Sequence, residues 1–90
     1  MENIILYGEL TSLPRNLDSE DAIVLTIKHD PDLAAVRVVF NGELKTDLVN
    51  TSSLTPGARF YISGRLENTA VGYRVVATRF AQDFLNTTHV

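Results

Sequence analysis

Arg59, Tyr61, Ser63 and Arg65 alternate with Phe60, Ile62, Gly64 and Leu66. A strand turns successive side chains to opposite faces, so this stretch sends two arginines and a tyrosine one way and an apolar row the other. Guanidinium groups that track phosphates, interleaved with an aromatic face on which a base can stack, are the parts single-strand binders use. Each stacked base is worth about 1–3 kcal/mol by alanine substitution. Arg37, Lys28 and the pair Tyr73 and Arg74 fall on other predicted strands and extend the same surface, with Tyr7 as a further member. The competing reading is an ordinary solvated strand face, since Arg and Tyr both tolerate exposure and suit strands. Tyr61 can equally pack at a subunit interface.

No other grouping carries chemistry. Asp18, Glu20 and Asp21 cluster in one loop and Asp30 and Asp32 in the next, without the glycine-punctuated spacing of a calcium loop. They read as solvated loop charge that can repel nucleic acid or attract a basic partner. His29 and His89 are far apart and lack metal-ligand spacing. Ser52 and Ser53 have no nucleophile elbow, and the five glycines are too dispersed to cradle a phosphate. The chain has no cysteine, hence no disulfide, thiolate ligand or cysteine nucleophile. The expectation is a non-enzyme without cofactor or metal.

Eight Lys and Arg against eleven Asp and Glu leave a net charge of −3. Nucleic-acid binders usually carry a basic excess, because cations on phosphates release counterions. The balance therefore demands that the cations gather on one face, and predicts weak or strongly salt-sensitive binding, or a partner that is not nucleic acid. Apolar runs are short and the N-terminus is acidic, which predicts neither a membrane span nor a secretion signal. Asn50-Thr51-Ser52 and Asn86-Thr87-Thr88 then match the glycosylation pattern by chance. The absence of cysteine fits a reducing compartment, and the expected location is the cytoplasm.

These side chains need a scaffold, and the dominant period is two. Strands are expected over 4–10, 22–29, 35–41, 59–66 and 73–80. Ile4, Leu6, Gly8 and Leu10 share one face of the first. Ile23, Leu25 and Ile27 point inward on the second, and Val36, Val38 and Phe40 on the third, with Arg37 and Val39 outward. Residues 11–21 and 67–72 read as loops, and Pro31 breaks the chain after the second strand. Leu44 and Leu48 recur at helical spacing, which predicts one short helix within 42–54, ended by Pro56-Gly57. Ninety residues make one domain, taken as 1–86 with a frayed tail at 87–90. Five short half-apolar strands cannot all remain open edges, and curling into a barrel buries the apolar face. Gly8 and Gly64 inside strands mark sharp bends or close backbone approaches. The expected fold is all-β: a five-stranded oligonucleotide/oligosaccharide-binding (OB) barrel with one short helix between strands three and four. The alternative is a five-stranded, sandwich-like sheet with a capping helix.

Three stretches in order carry a resemblance. They are Asn3-Ile4-Ile5-Leu6-Tyr7-Gly8-Glu9-Leu10 with Pro14-Arg15; Arg37-Val38-Val39-Phe40 with Gly42-Glu43-Leu44; and Pro56-Gly57-Ala58-Arg59-Phe60-Tyr61-Ile62-Ser63-Gly64-Arg65-Leu66. The sequence resembles the bacterial single-stranded DNA-binding protein family, including its relative primosomal replication protein N, over residues 3–85. The resemblance implies an OB fold, self-association into a homo-dimer or homo-tetramer, and single-stranded DNA laid across the barrel. It departs from the family in having no tryptophan, Ala34-Ala35-Val36 and Asn41 where aromatics are common, and no acidic tail. These departures point to an accessory, phage-, plasmid- or organelle-type relative.

Two functions follow. The first is a largely sequence-independent single-stranded DNA-binding protein of replication, recombination or repair, or an accessory to that machinery, with RNA left open. The second is a homo-oligomeric protein–protein adaptor on the same fold, joined through strand edges or the outward Val39 and Val76.

Overall fold

The computed structural model describes residues 3–29 and 34–84. In chain order it contains β1 (Asn3–Leu10), β2 (Arg15–Leu17), a single 3-10 turn (Asp18–Glu20), β3 (Ala22–Lys28), β4 (Val36–Asn41), α1 (Gly42–Thr51), β5 (Arg59–Thr69) and β6 (Gly72–Asp83). The expected break at Pro31 and the tail 87–90 lie outside the described residues.

The strands follow the order β1-β5-β6-β4-β3-β2, and β1 also pairs with β3. That last pairing, Glu9 with Lys28 and Leu10 with Ile27, closes five strands into a ring. The closed ring with α1 between its third and fourth strands is the OB fold expected from the alternation. All ring pairings are antiparallel except β4 with β6, where Val38 and Val39 run parallel to Val75 and Val76. Closure turns every strand's inward row onto one core. Phe40 and Phe60 are completely buried there with Leu10, Leu25, Ile27, Val38 and Val75. Leu48 of α1 enters the same core, and Leu44 is packed against it. The helix stops at Ser52, whose N–H donates to the Leu48 carbonyl at 3.1 Å.

The glycines within strands sit where the ring needs close contact. At Gly8, where β1 passes from β5 to β3, an added Cβ would lie 2.6 Å from the Lys28 carbonyl oxygen. At Gly64 the β5–β6 register shifts, with Ser63 opposite Arg79 but Gly64 opposite Ala77. Such a bulge bends the sheet and raises its twist, which a small barrel requires.

Several expectations are corrected. Residues 11–21 are not all loop. Residues 15–17 form β2 and pair with Ala22, Ile23 and Val24, so the sheet has a sixth, appended strand. The chain turns back through Asp21 in the left-handed region (φ 49), a conformation Asp tolerates better than most residues. The β5–β6 hairpin is longer than its polar composition suggests. Strand pairing continues to Thr69 with Gly72, leaving a two-residue tip. Gly72 takes φ +123 there, and the Thr69 hydroxyl donates to the Gly72 carbonyl at 2.6 Å. Finally, Val39 points outward as expected but is only 2% exposed. Side chains from β2 and the hairpin wall in the face it looks onto, so it is no open adhesive patch.

Candidate nucleic-acid interface

A cleft of about 380 Å³ lies on the outside of β3, β4 and β6. Its floor is Val24 of β3 and Val39 of β4, which face each other in register. One wall is β2 and the turn after it, bringing Arg15, Asn16, Leu17 and Glu20. The other wall is the tip of the β5–β6 hairpin, bringing Thr69, Ala70 and Val71. Arg37 and Arg74 complete the lining. Both walls exist because hairpins overhang the barrel, one from each side of the β3–β4 face.

The three arginines of the cleft are in different states. Arg15 and Arg37 are exposed and have no hydrogen-bond or ion-pair partner among the described residues. Arg74 is fully engaged. Its Nη1 and Nη2 donate to the two Glu20 carboxylate oxygens at 3.1 and 2.9 Å, and its Nε donates to Glu67 at 2.5 Å. The hydrogen bonds that Arg74 donates to Glu20 and then to Glu67 raise its pKa further above its usual value, so the group is permanently charged. The same bonds hold Glu20 below the usual carboxylate range. Arg74 therefore ties the turn after β2 to the β5–β6 hairpin across 54 residues of sequence.

The residues singled out in the sequence do not share one face. Arg59, Tyr61 and Arg65 alternate outward on β5 as expected, but β5 neighbours β1 and β6 in the ring, not β4. Arg37 on β4 is thus separated from that row by the whole of β6 and belongs to the cleft instead. Tyr73 and Arg74 also part company. Arg74 pairs with Glu67 on the outer side, whereas Tyr73 pairs with Asn68 and points the other way at the hairpin end, 63% exposed. Lys28 is half-buried at the β1–β3 seam opposite Glu9. The expectation that the cations gather on one face is corrected accordingly.

The β1–β5 face has a character of its own. Tyr7 and Tyr61, directly paired in register, stack with ring centroids 4.5 Å apart. The Tyr7 hydroxyl donates to Asp83 Oδ2 at 2.8 Å. Arg59 pairs with Glu9 at 3.3 Å. This end of the β5 row is thus offset by two carboxylates, while toward the other end Ile5, 82% exposed, stands opposite Ser63, with Arg65 beyond it opposite Asn3. Arg15 was not picked out as a binding residue from the sequence, although it stands beside Pro14 in the first stretch of resemblance. Its signal is a cation on a short strand that pairs back onto β3, which hydropathy alone reads as loop.

Barrel, helix and appended strand together define an OB-fold domain. Solved structures agree on the fold. Over 97% of its length the chain superposes on a chain of the S. pombe Stn1-Ten1 complex, with a TM-score of 0.76 and 18% identity. It spans only 62% of that chain. The small single-stranded DNA-binding protein of Streptomyces coelicolor matches with a TM-score of 0.72 and 16% identity, covering 98% of this chain and 97% of that one. The mitochondrial single-stranded DNA-binding protein Rim1 of S. cerevisiae matches with a TM-score of 0.72 and 12% identity, covering 90% and 93%. No protein-family model and no curated protein matches the sequence. Among the described residues, no helix is long and apolar enough to cross a membrane.

Proposed function

We propose that this protein binds single-stranded nucleic acid, DNA in the first place, in the cleft over β3 and β4. The observation that carries this reading is the pair of exposed arginines, Arg15 and Arg37, without partners among the described residues, bordering a cleft floored by Val24 and Val39. Unpaired guanidinium groups take phosphates without first giving up an ion pair. The accessible apolar lining, Val24 with Leu17 and the exposed Val71, accepts sugar and base faces without reading their edges, so recognition is largely independent of sequence. The likeness of the fold to two single-stranded DNA-binding proteins supports the same reading. The action is sequestration of unpaired strand, with no covalent step, in replication, recombination or repair in the cytoplasm. Because the chain as a whole is acidic, binding is steered locally and weakens steeply with salt.

The test is fluorescence anisotropy of labelled oligo-dT across a salt series. Each phosphate contact to a single strand contributes about 0.7 to the slope of log K against log salt. The double variant Arg15→Ala with Arg37→Ala is expected to flatten the slope by about 1.4 and weaken binding at low salt. Absence of binding by the wild type at both low and physiological salt would overturn the reading. Oligo-U in place of oligo-dT separates RNA from DNA preference.

One observation favours self-association as well. Residues 3–6 of β1 pair with β5 but have no strand on their other edge among the described residues, and Ile5 on this stretch is 82% exposed beside Tyr61 at 52%. An open edge with an apolar residue on it is satisfied by a second copy. Light scattering after gel filtration should show an oligomer that Ile5→Glu dissociates. A monomeric wild type at high micromolar concentration would remove this second reading.

A further inference from the structure

We propose that Glu20 is a built-in phosphate mimic, occupying the face of Arg74 that a strand phosphate takes when nucleic acid enters the cleft. The inference rests on the cleft reading above and adds to it a third, masked phosphate contact and the residue that masks it.

The geometry of the guanidinium supports the exchange. Arg74 uses its edge in two parts. Nε donates to Glu67, its direct cross-strand partner in the β5–β6 ladder. Nη1 and Nη2 form the fork that grips both oxygens of Glu20. A phosphate presents two oxygens at a similar spacing, and bidentate pairing with arginine is common to both anions. Removing Glu20 therefore leaves the guanidinium oriented by Glu67, with its Nη fork open toward the cleft that Arg74 already lines.

Glu20 is placed to leave. It belongs to a one-turn 3-10 segment and its side chain is 41% exposed, against 19% for Arg74. Asp18 and Asp21 flank it in the same turn, so three carboxylates repel one another there. Lys45 holds Asp21 at 3.0 Å and keeps the turn anchored to α1 when Glu20 lets go. In the free protein Glu20 satisfies Arg74, and weak anions are excluded. A polyanion that already engages Arg15 and Arg37 brings a phosphate to the fork at high local concentration and displaces it. The acidic turn thereby sets the threshold for binding.

The experiment compares Glu20→Gln with Asp47→Asn, which removes one negative charge from the exposed face of α1, away from the cleft. The probe is a labelled oligo-dT of about ten nucleotides, within the footprint of one OB barrel. Glu20→Gln should bind several-fold more tightly at low salt with the wild-type salt slope, because the same phosphate reaches Arg74 in both complexes and only the competing carboxylate is gone. Asp47→Asn should leave the affinity close to wild type. Adding Arg74→Gln to Glu20→Gln should abolish the gain. Binding by Glu20→Gln that is no tighter than wild type, or an equal gain in Asp47→Asn, each overturns the proposal while leaving the cleft reading standing. Loss of all wild-type binding overturns both. Should Glu20→Gln fold poorly, NMR of the wild-type guanidinium decides. Oligo-dT should shift the Arg74 Nη signals and leave its Nε–H in place, and Nη signals that stay unmoved at saturation refute the exchange.

Discussion

Replacing Gly64 by alanine tests whether the barrel's curvature depends on one missing methyl group. Gly64 is at the β5–β6 register shift, and its backbone is in a region open to any residue, so conformational strain does not enter. Sterics do. A Cβ at this position would meet the Val76 carbonyl oxygen at 2.5 Å, Val75 Cγ1 at 2.7 Å and the Ala77 Cα at 3.1 Å. Ordinary contact begins near 3.4 Å, so β6 must retreat by about 0.9 Å, and two of the three obstacles are backbone. Overpacking of this kind costs about 1–3 kcal/mol. The lower chain entropy of alanine in the unfolded state returns about 0.4–1 kcal/mol. The net loss is about 1.3 kcal/mol out of the roughly 5–13 kcal/mol typical for a chain of this size. For so small a domain that lowers Tm by roughly 5–10 °C. Gly42→Asn is the matched control. Gly42 has φ +57 with nothing within 4 Å of an added Cβ, and asparagine enters that region readily. It should lower Tm by only a few degrees, at a cost below about 1 kcal/mol. Thermal unfolding followed by circular dichroism at the strand band reads both. A Gly64→Ala protein melting with the wild type would mean that β6 gives way freely and that this contact does not pin the sheet. Because β6 also carries Arg74, that outcome would undercut the rigid placement of the cleft.

Phe60→Ala, which empties a completely buried position, should cost about 3–5 kcal/mol in urea denaturation. Arg59→Ala should leave the salt slope of oligo-dT binding unchanged, because Arg59 faces away from the cleft and is already paired with Glu9; a flatter slope would move the interface to the β1–β5 face. Glu20 has a folded pKa below its usual 4.5, so it stabilises the fold fully above that value and progressively less as pH falls through the lowered one. Urea midpoints of wild type and Glu20→Gln should therefore differ at neutral pH and converge in acid. A difference that persists in strong acid would show that the Arg74 pairing is not its source.

The alternation of apolar and polar residues was enough to place the five ring strands, the inward rows of the first four and the single helix. Burial depends on which face a side chain takes, and a period of two states that directly. Phe40, Phe60 and Leu25 are in the core for the reason their spacing gives. Gly8 and Gly64 were also legible, since a glycine inside a strand signals backbone contact. Direction around the barrel was not legible. Alternation separates inside from outside but carries nothing about azimuth, which follows from ring order. Only the pairing of β4 with β6 separated Arg37 from the Arg59-Tyr61-Arg65 row and moved it into the cleft. The pairing of residues 15–17 with β3 likewise raised Arg15 beside it, where a polar run had suggested loop. The Arg74 link to Glu20 joins residues 54 positions apart. Local sequence has no means of recording such a contact, because it exists only once the barrel has closed and brought two hairpins over one face.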